Sequence, residues 1–171
     1  MLGYVLIAPS VILLVGLLGW PLVEAVILSF YKVNPMTLQS SFVGFDNYAA
    51  ATADEAFWNA LINNFIWLGG SLVLQISAGV GGALLLNRTF PGRSLARALI
   101  LFPYLLPVVV TALVWQWMFD PLHGIVNEVF LRFGLQPHDW LGSMPEAMIS
   151  VITVGSWRVF PFVVIAVLAR L

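Results

Sequence analysis

Four long apolar runs make up most of this sequence and restrict its fold more than any other feature. They cover residues 3–30, 58–86, 95–119 and 147–171, and each exceeds the roughly 20 residues that a helix needs to cross a bilayer. In lipid, every backbone amide must be hydrogen-bonded within the protein, so helices and closed barrels alone can cross. Runs of this length predict helices. The predicted fold class is therefore all-α, a polytopic membrane protein with four transmembrane helices and short interfacial helices.

Composition supports the membrane class and argues against several others. Hydrophobic residues make up 61% of the chain and charged residues 9%, against about 45–50% and about 25% in soluble proteins. A net charge of -1 gives no reason to expect nucleic acid as a partner. The sequence contains no cysteine, which excludes disulfides and thiolate metal sites, and no catalytic or nucleotide-binding motif. We therefore predict no enzymatic activity, no metal and no cofactor.

The segment between the second and third runs sets the predicted orientation. Residues 87–97 hold a Pro-Gly turn, no acidic residue and three arginines, Arg88, Arg93 and Arg97. Short loops rich in Lys and Arg stay on the cytoplasmic side of a membrane. The sequence therefore predicts a cytoplasmic loop at 87–97, extracytoplasmic loops at 31–57 and 120–146, and both chain ends in the cytoplasm.

Short helices are predicted within both extracytoplasmic loops. In the first loop, Asp46 is expected to cap a helix over residues 48–53. In the second, apolar residues recur at helical spacing, which predicts an amphipathic interfacial helix ended by Gly134. The recurring residues are Ile125, Val126, Val129, Phe130 and Phe133.

Prolines and small residues predict how the helices bend and pack. A proline removes an N–H donor and clashes with the preceding turn, so kinks are expected at Pro21, Pro103, Pro107 and Pro161. The two prolines of the third run free carbonyls that should face protein or a cavity. In the second run, small residues at four-residue spacing predict a helix-packing face made of Ser77, Ala78, Gly81 and Gly82.

Polar side chains inside the apolar runs are the candidate functional residues. Arg158 lies near the middle of the fourth run, where a guanidinium costs about 3 kcal/mol or more unless it faces a cavity or a partner. We interpret it as a pathway-lining residue; the alternatives are a structural bond to the carbonyl freed by Pro161 or to a neighbouring helix, and snorkelling to an interface. Trp157 is expected beside the same cavity. Helix-to-helix hydrogen bonding is the preferred interpretation for Gln75 and Gln116, and contact with a solute makes them further pathway candidates.

Several stretches, in this order and spacing, give the chain a resemblance to a known family. They are Ala8-Pro9, Trp20-Pro21-Leu22, Ser29-Phe30, Phe42–Tyr48, Phe57–Leu61, Ala83–Asn87, Pro91–Arg93 with Arg97, Phe102–Pro107, Trp115–Phe119, Gly124–Asn127, Asp139–Gly142 and Trp157–Phe162. Over nearly its whole length the chain resembles the permease subunits of type I binding-protein-dependent ABC importers, in particular the MalF-like carbohydrate-uptake permeases.

The resemblance implies a subunit that forms the translocation path for a sugar or related small solute together with a second permease subunit. It also implies cytoplasmic ATPase subunits, an extracytoplasmic solute-binding protein, and a place in the inner membrane of a bacterial or archaeal cell. Permease subunits of this kind have six core helices. Their cytoplasmic coupling helix follows the core helix that corresponds to the fourth apolar run of this chain. Because the sequence ends at Arg170-Leu171, we expect four of the six helices and no element that docks the ATPase.

Two other function classes remain open from the residues alone. An ion-coupled secondary carrier would need several titratable residues deep in the runs, and Arg158 is the one clearly placed there. A non-transporting membrane scaffold subunit would need neither proline-broken helices nor a buried arginine. The permease interpretation accounts for both features and is preferred.

Overall fold

The computed structural model describes residues 2–37 and 39–171, and the chain divides into two units, Met1–Leu61 and Ile62–Leu171. Helices provide most of the secondary structure in both units.

An apolar helix opens the first unit. Helix α1 (Leu2–Leu14) continues through a π-helical turn (Val15–Gly19) into helix α2 (Trp20–Leu28). Residues Gly3–Leu28 have a mean hydropathy of 2.4 and include no buried residue. Pro21 stands in the first turn of α2, where a missing N–H costs little, directly after the π-helical turn.

A β-hairpin follows, where the sequence interpretation expected loop. Strands β1 (Tyr31–Val33) and β2 (Ser40–Phe42) pair antiparallel, with Tyr31 opposite Phe42. Their rings meet edge to face at a centroid distance of 5.3 Å. Strands of three residues are too short for an alternating pattern to indicate them, so the interpretation of this segment as a polar loop did not include the hairpin.

Helix α3 (Asp46–Ala53) is tied to the end of α2. The amide of Asn47 donates to the carbonyls of Ser29, at 2.8 Å, and of Tyr31, at 3.0 Å. The predicted cap was wrong, because Asp46 lies inside the first turn and Phe45 occupies the N-cap position without a side-chain bond. An acidic residue in a first turn still interacts favourably with the helix dipole.

The second unit contains a sharp bend at the predicted third run. Helix α5 (Arg93–Leu105) and helix α6 (Val108–Met118) meet at 99° instead of forming one straight span. Leu106 and Pro107 between them are extended, since the residue before a proline avoids helical geometry. Pro103 lies inside α5, which continues through it. At 1.5 Å per residue, neither helix alone crosses a hydrocarbon core of about 30 Å.

The remaining helices are α4 (Glu55–Asn87), α7 (Ile125–Arg132) and α8 (Glu146–Leu168). Helix α7 confirms the short helix predicted in the second loop, and Gly134 follows it with a positive φ of 72°. Helix α8 continues through Pro161, which is buried.

The buried core of the described chain is small for its apolar content. Ala83, Leu86 and Val164 form a buried cluster, with Phe90 and Phe160 packed against it. Large apolar side chains are exposed along most helices, as expected where lipid covers them. Within residues 2–37 and 39–171, three helices are long and apolar enough to cross a membrane, and four spans result if α5 and α6 count as one broken span. The all-α membrane class is therefore confirmed.

Candidate functional site

A cavity of about 730 Å³ lies between α4, α6 and α8 in the second unit. Its wall combines aromatic rings, aliphatic side chains and a few polar groups, which is the usual make-up of a small-molecule site. The aromatic lining is Trp67, Trp115 and Phe119, and the polar lining is Gln75, Thr111, Gln116, Ser150 and Arg158.

Three of the four predicted pathway residues line this cavity. Gln75 comes from α4, Gln116 from α6 and Arg158 from α8, so residues far apart in sequence converge on one space. Trp157 is not in the lining. Its ring packs edge to face on the ring of Trp115, with centroids 5.5 Å apart, and it supports the wall from behind.

Two buried polar atoms at the cavity have no hydrogen-bond partner among the described residues. They are the Oγ1 of Thr111, a residue that is 3% exposed, and the Nε of Arg158. Ser150, on the same wall, is satisfied because its hydroxyl donates to the carbonyl of Trp140 at 2.8 Å. A buried donor without a partner is costly, so these two atoms are available to a bound molecule.

The carbonyl freed by Pro161 does not hold Arg158 in this chain. Arg158 lies three residues before that proline, yet its Nε makes no hydrogen bond to any described residue. The pathway interpretation, a bond to a neighbouring helix and snorkelling to an interface therefore all remain predictions for Arg158.

The 120–146 loop is fixed by a buried asparagine that sequence reasoning missed. The side chain of Asn127 donates to the carbonyls of Pro121, at 3.1 Å, and of His138, at 2.9 Å. Its Oδ1 accepts from the N–H of His138, at 3.0 Å, and from the indole N–H of Trp140, at 2.8 Å. Asn127 is 3% exposed. The available signal was its position three residues before Phe130, on the apolar side of the predicted helix.

Asp120 caps the start of this loop. Its carboxylate accepts the backbone N–H groups of Leu122, at 3.0 Å, and His123, at 2.7 Å. These bonds, that of His123 foremost, lower the pKa of Asp120, because they stabilise its charged form.

Aromatic contacts connect the loop to the cavity wall. Trp140 packs on Phe130 and on Phe119, with ring centroids 5.1 Å and 5.9 Å apart. Phe119 in turn lies 5.2 Å from Trp115, measured between ring centroids. Both Phe119 and Trp115 line the cavity. The indole of Trp140, which Asn127 holds in place, therefore supports the ring of Phe119 and, through it, the ring of Trp115.

The three arginines of the 87–97 segment, the arginine loop, differ in burial and in hydrogen bonding. Arg93 is half-buried, and its Nε donates to the carbonyl of Leu86 at 2.6 Å, which satisfies a terminal carbonyl of α4. Gly92, with a φ of 84°, makes the turn that brings Arg93 back. Arg88 and Arg97 are exposed. Arg93 thus contributes to the fold at the end of α4, and the topology-setting role of all three arginines stays a prediction.

Close packing of α4 on α8 involves one residue of the predicted set, Gly82, and one outside it, Gly79. A Cβ at Gly79 would lie 2.5 Å from the Cβ of Val163, and one at Gly82 would lie 3.1 Å from the side chain of Val164. Ser77, Ala78 and Gly81 face away from α8 and are exposed. Ser77 donates its hydroxyl to the carbonyl of Val73 in its own helix. Four-residue spacing identified small residues but not the face that meets a neighbour, so packing by the exposed three stays a prediction.

The relatives found by sequence comparison are all permease proteins of transport systems. The chain is 34% identical to the inner membrane ABC transporter permease protein YcjO of Escherichia coli, over 97% of this chain and 58% of YcjO. It is 26% identical to the trehalose/maltose transport system permease protein MalF of Thermococcus litoralis, over 99% of this chain and 58% of that protein. It is 31% identical to the sulfoquinovosyl glycerol permease protein SmoG of Agrobacterium fabrum, over 100% and 56%.

A solved structure has the same fold. A chain of a bacterial ABC transporter that imports the acidic polysaccharide alginate superposes with a TM-score of 0.78 at 22% identity, over 98% of this chain and 56% of that one. No family model matches the sequence. The chain spans a little over half the length of the relatives it matches. Over nearly its whole length, then, this chain is a homologue of ABC transporter permease proteins, among them the MalF protein of a trehalose/maltose transport system.

Proposed function

We propose that this chain forms part of the permease of an ABC importer and passes a hydroxyl-rich small solute, a sugar or a close relative of one, across the membrane. The identity of 34% to an ABC transporter permease over 97% of the chain carries this proposal. Its relatives are named for trehalose and maltose, sulfoquinovosyl glycerol, diacetylchitobiose and sn-glycerol-3-phosphate. These solutes share several hydroxyl groups on a small frame, and a solute of the same kind is proposed here.

The cavity between α4, α6 and α8 is the proposed section of the translocation path. Gln75 and Gln116 offer amide donors and acceptors that can exchange with the hydroxyls of a passing solute. The indoles of Trp67 and Trp115 offer apolar faces for the C–H surfaces of a sugar ring. A path needs binding that is favourable enough to admit the solute and weak enough to release it. A lining with few polar groups among many apolar ones is suited to that.

ATP hydrolysis is assigned in this proposal to separate cytoplasmic ATPase subunits. The sequence has no glycine-rich phosphate-binding motif, so nothing in it resembles a nucleotide site. A second permease subunit would complete the path, and an extracytoplasmic binding protein would deliver the solute. The structurally similar alginate transporter was crystallised with an alginate-bound periplasmic protein, which supports the last assignment.

We also infer that loop 87–97 and both chain ends are cytoplasmic, in a multi-pass protein of the inner membrane. The exposed charges of Arg88 and Arg97 support this orientation. Because the chain has no cysteine, single-cysteine variants report cleanly. A membrane-impermeant maleimide should label Ser41→Cys in intact cells and Ser94→Cys after permeabilisation only. The opposite pattern would show that the orientation is reversed.

Alkylation of the cavity tests the path itself. Gly155 lines the cavity, and a Cβ there meets no atom within 4 Å, so Gly155→Cys should fold normally. Gly81→Cys is the matched control, since a Cβ at Gly81 also meets nothing and Gly81 does not line the cavity.

ATP-dependent uptake of a labelled sugar should be measured with the complete permease that contains this sequence, including all core helices, assembled with its partner subunits. A polar thiol reagent should block uptake by Gly155→Cys and not by Gly81→Cys, and the transported solute should protect against the block. Equal effects on the two variants would remove this cavity from the path. Absence of ATP-dependent uptake of any carbohydrate would refute the importer function.

A further inference from the structure

The charge of the cavity is unbalanced. Arg158 is the ionisable residue of its lining, and no Asp or Glu is among the described residues that line it. No carboxylate of the described chain pairs with Arg158 elsewhere either, since the three salt bridges there involve His123, Arg132 and His138. The cavity therefore presents a net positive charge.

The depth of Arg158 within a membrane-spanning helix makes its uncompensated charge costly in free energy. It lies midway along α8, a helix long and apolar enough to cross the membrane, so its guanidinium is remote from both ends. A cation at this depth is stabilised by an anion or by a water-filled cavity. Its Nε is buried without a hydrogen-bond acceptor among the described residues.

A second donor shares the same space. The hydroxyl of Thr111, on α6, is buried at the cavity wall and has no partner in the described chain. A guanidinium and a hydroxyl are both donors, and each is best satisfied by an oxygen that carries negative charge, because charge-assisted hydrogen bonds are roughly twice as strong as neutral ones. The hydroxyl of a neutral sugar could accept one such bond but would leave the charge of Arg158 uncompensated.

We propose that the cavity takes solutes with an anionic group, a carboxylate, sulfonate or phosphate on a hydroxyl-rich frame, and that Arg158 binds this group. The inference rests on the proposed importer function and adds the substrate class. Thr111 supplies a second hydrogen bond, and Gln75 and Gln116 contact the hydroxyl-bearing part.

Binding to the permease itself separates this proposal from the specificity of any delivering protein. The purified permease complex in nanodiscs, without binding protein, is titrated with methyl glucuronide and with methyl glucoside, which differ in a carboxylate in place of a hydroxymethyl group. Quenching of the cavity tryptophans, Trp67 and Trp115, reports binding. The wild-type permease should bind the glucuronide at least about tenfold more tightly than the glucoside.

Variants of Arg158 identify the group responsible. Arg158→Gln should weaken glucuronide binding about 30-fold or more and glucoside binding less than about threefold, and Arg158→Lys should restore part of the loss because it keeps the charge. Raising the salt concentration should weaken the glucuronide alone.

Several results would overturn the assignment. Equal affinities for the two glycosides, tighter binding of the neutral one, or an equal loss of both in Arg158→Gln would each show that Arg158 is structural or pairs with another subunit. Absence of binding by either glycoside would also overturn it. The importer function is judged separately, by ATP-dependent uptake, so carbohydrate uptake with no anion preference would refute the anionic class and leave the importer standing.

Discussion

Replacing Asn127 with alanine should open the 120–146 loop without unfolding the membrane helices. The substitution removes four hydrogen bonds from a residue that is 3% exposed. The backbone N–H of His138 and the indole N–H of Trp140 then lose their acceptor. Each buried unsatisfied donor costs about 1–3 kcal/mol, so we expect the loop to lose about 3 kcal/mol of local stability. By the usual conversion, the opening equilibrium shifts about 100-fold.

Hydrogen exchange measures this opening directly. Amide exchange of residues 137–142, followed by mass spectrometry in nanodiscs, should accelerate about 100-fold in Asn127→Ala, whereas exchange in α4 and α8 should not change. Asn34→Ala is the control. The Oδ1 of Asn34 accepts the N–H of Met36 at 2.9 Å, but the residue is exposed and water replaces the lost bond. An acceleration below about threefold at 137–142 in Asn127→Ala would refute the reasoning that Asn127 holds the loop.

Two further substitution pairs test helix packing and the arginine loop. Gly79→Ala should lower the free energy of unfolding, measured by thermal melts in detergent, by about 1–3 kcal/mol, because its methyl group would overlap α8. The control Gly81→Ala should be neutral or slightly stabilising. Equal shifts in the two variants would contradict the packing. In the same melts, Arg93→Ala should lower the free energy of unfolding by about 1–2 kcal/mol, because its bond to the last turn of α4 is lost. Arg97 is exposed, so Arg97→Ala should lower it by less than about 0.5 kcal/mol. The reverse order would show that Arg93 is not a cap.

The membrane class and the helices could be predicted because the signals that determine them are local. An apolar run longer than about 20 residues has few alternatives to a helix in lipid. Helix α7 was equally accessible, since its apolar residues recur with helical period and Gly134 ends it. The cost of a polar group inside a span identified Gln75, Gln116 and Arg158 as candidates one by one, whereas their meeting at one cavity is visible in the structure alone.

The features that were missed depend on contacts across the chain. Prolines indicated a bend in the third run, but its angle of 99° depends on extended backbone at Leu106 and Pro107. Four-residue spacing selected Gly82, which meets α8, but also the exposed Ser77 and Gly81, and it omitted Gly79, because spacing says nothing about where a neighbour lies. Trp157 was expected in the cavity because it adjoins Arg158, yet adjacent helical residues point about 100° apart, and its ring packs behind the wall.

Hydrogen bonds and close packing near the ends of α8 explain why a cavity persists between helices that bury few of their side chains. Lipid is as apolar as leucine, so apolar area alone does not hold one helix against another in a membrane. At one end of α8, the hydroxyl of Ser150 donates to Trp140, the residue that Asn127 fixes. Towards the other end, Val164 packs with Leu86, whose carbonyl is capped by the arginine loop. Fixed at both ends by polar bonds and close packing, the helices can stand apart in the middle, where the cavity and its arginine lie.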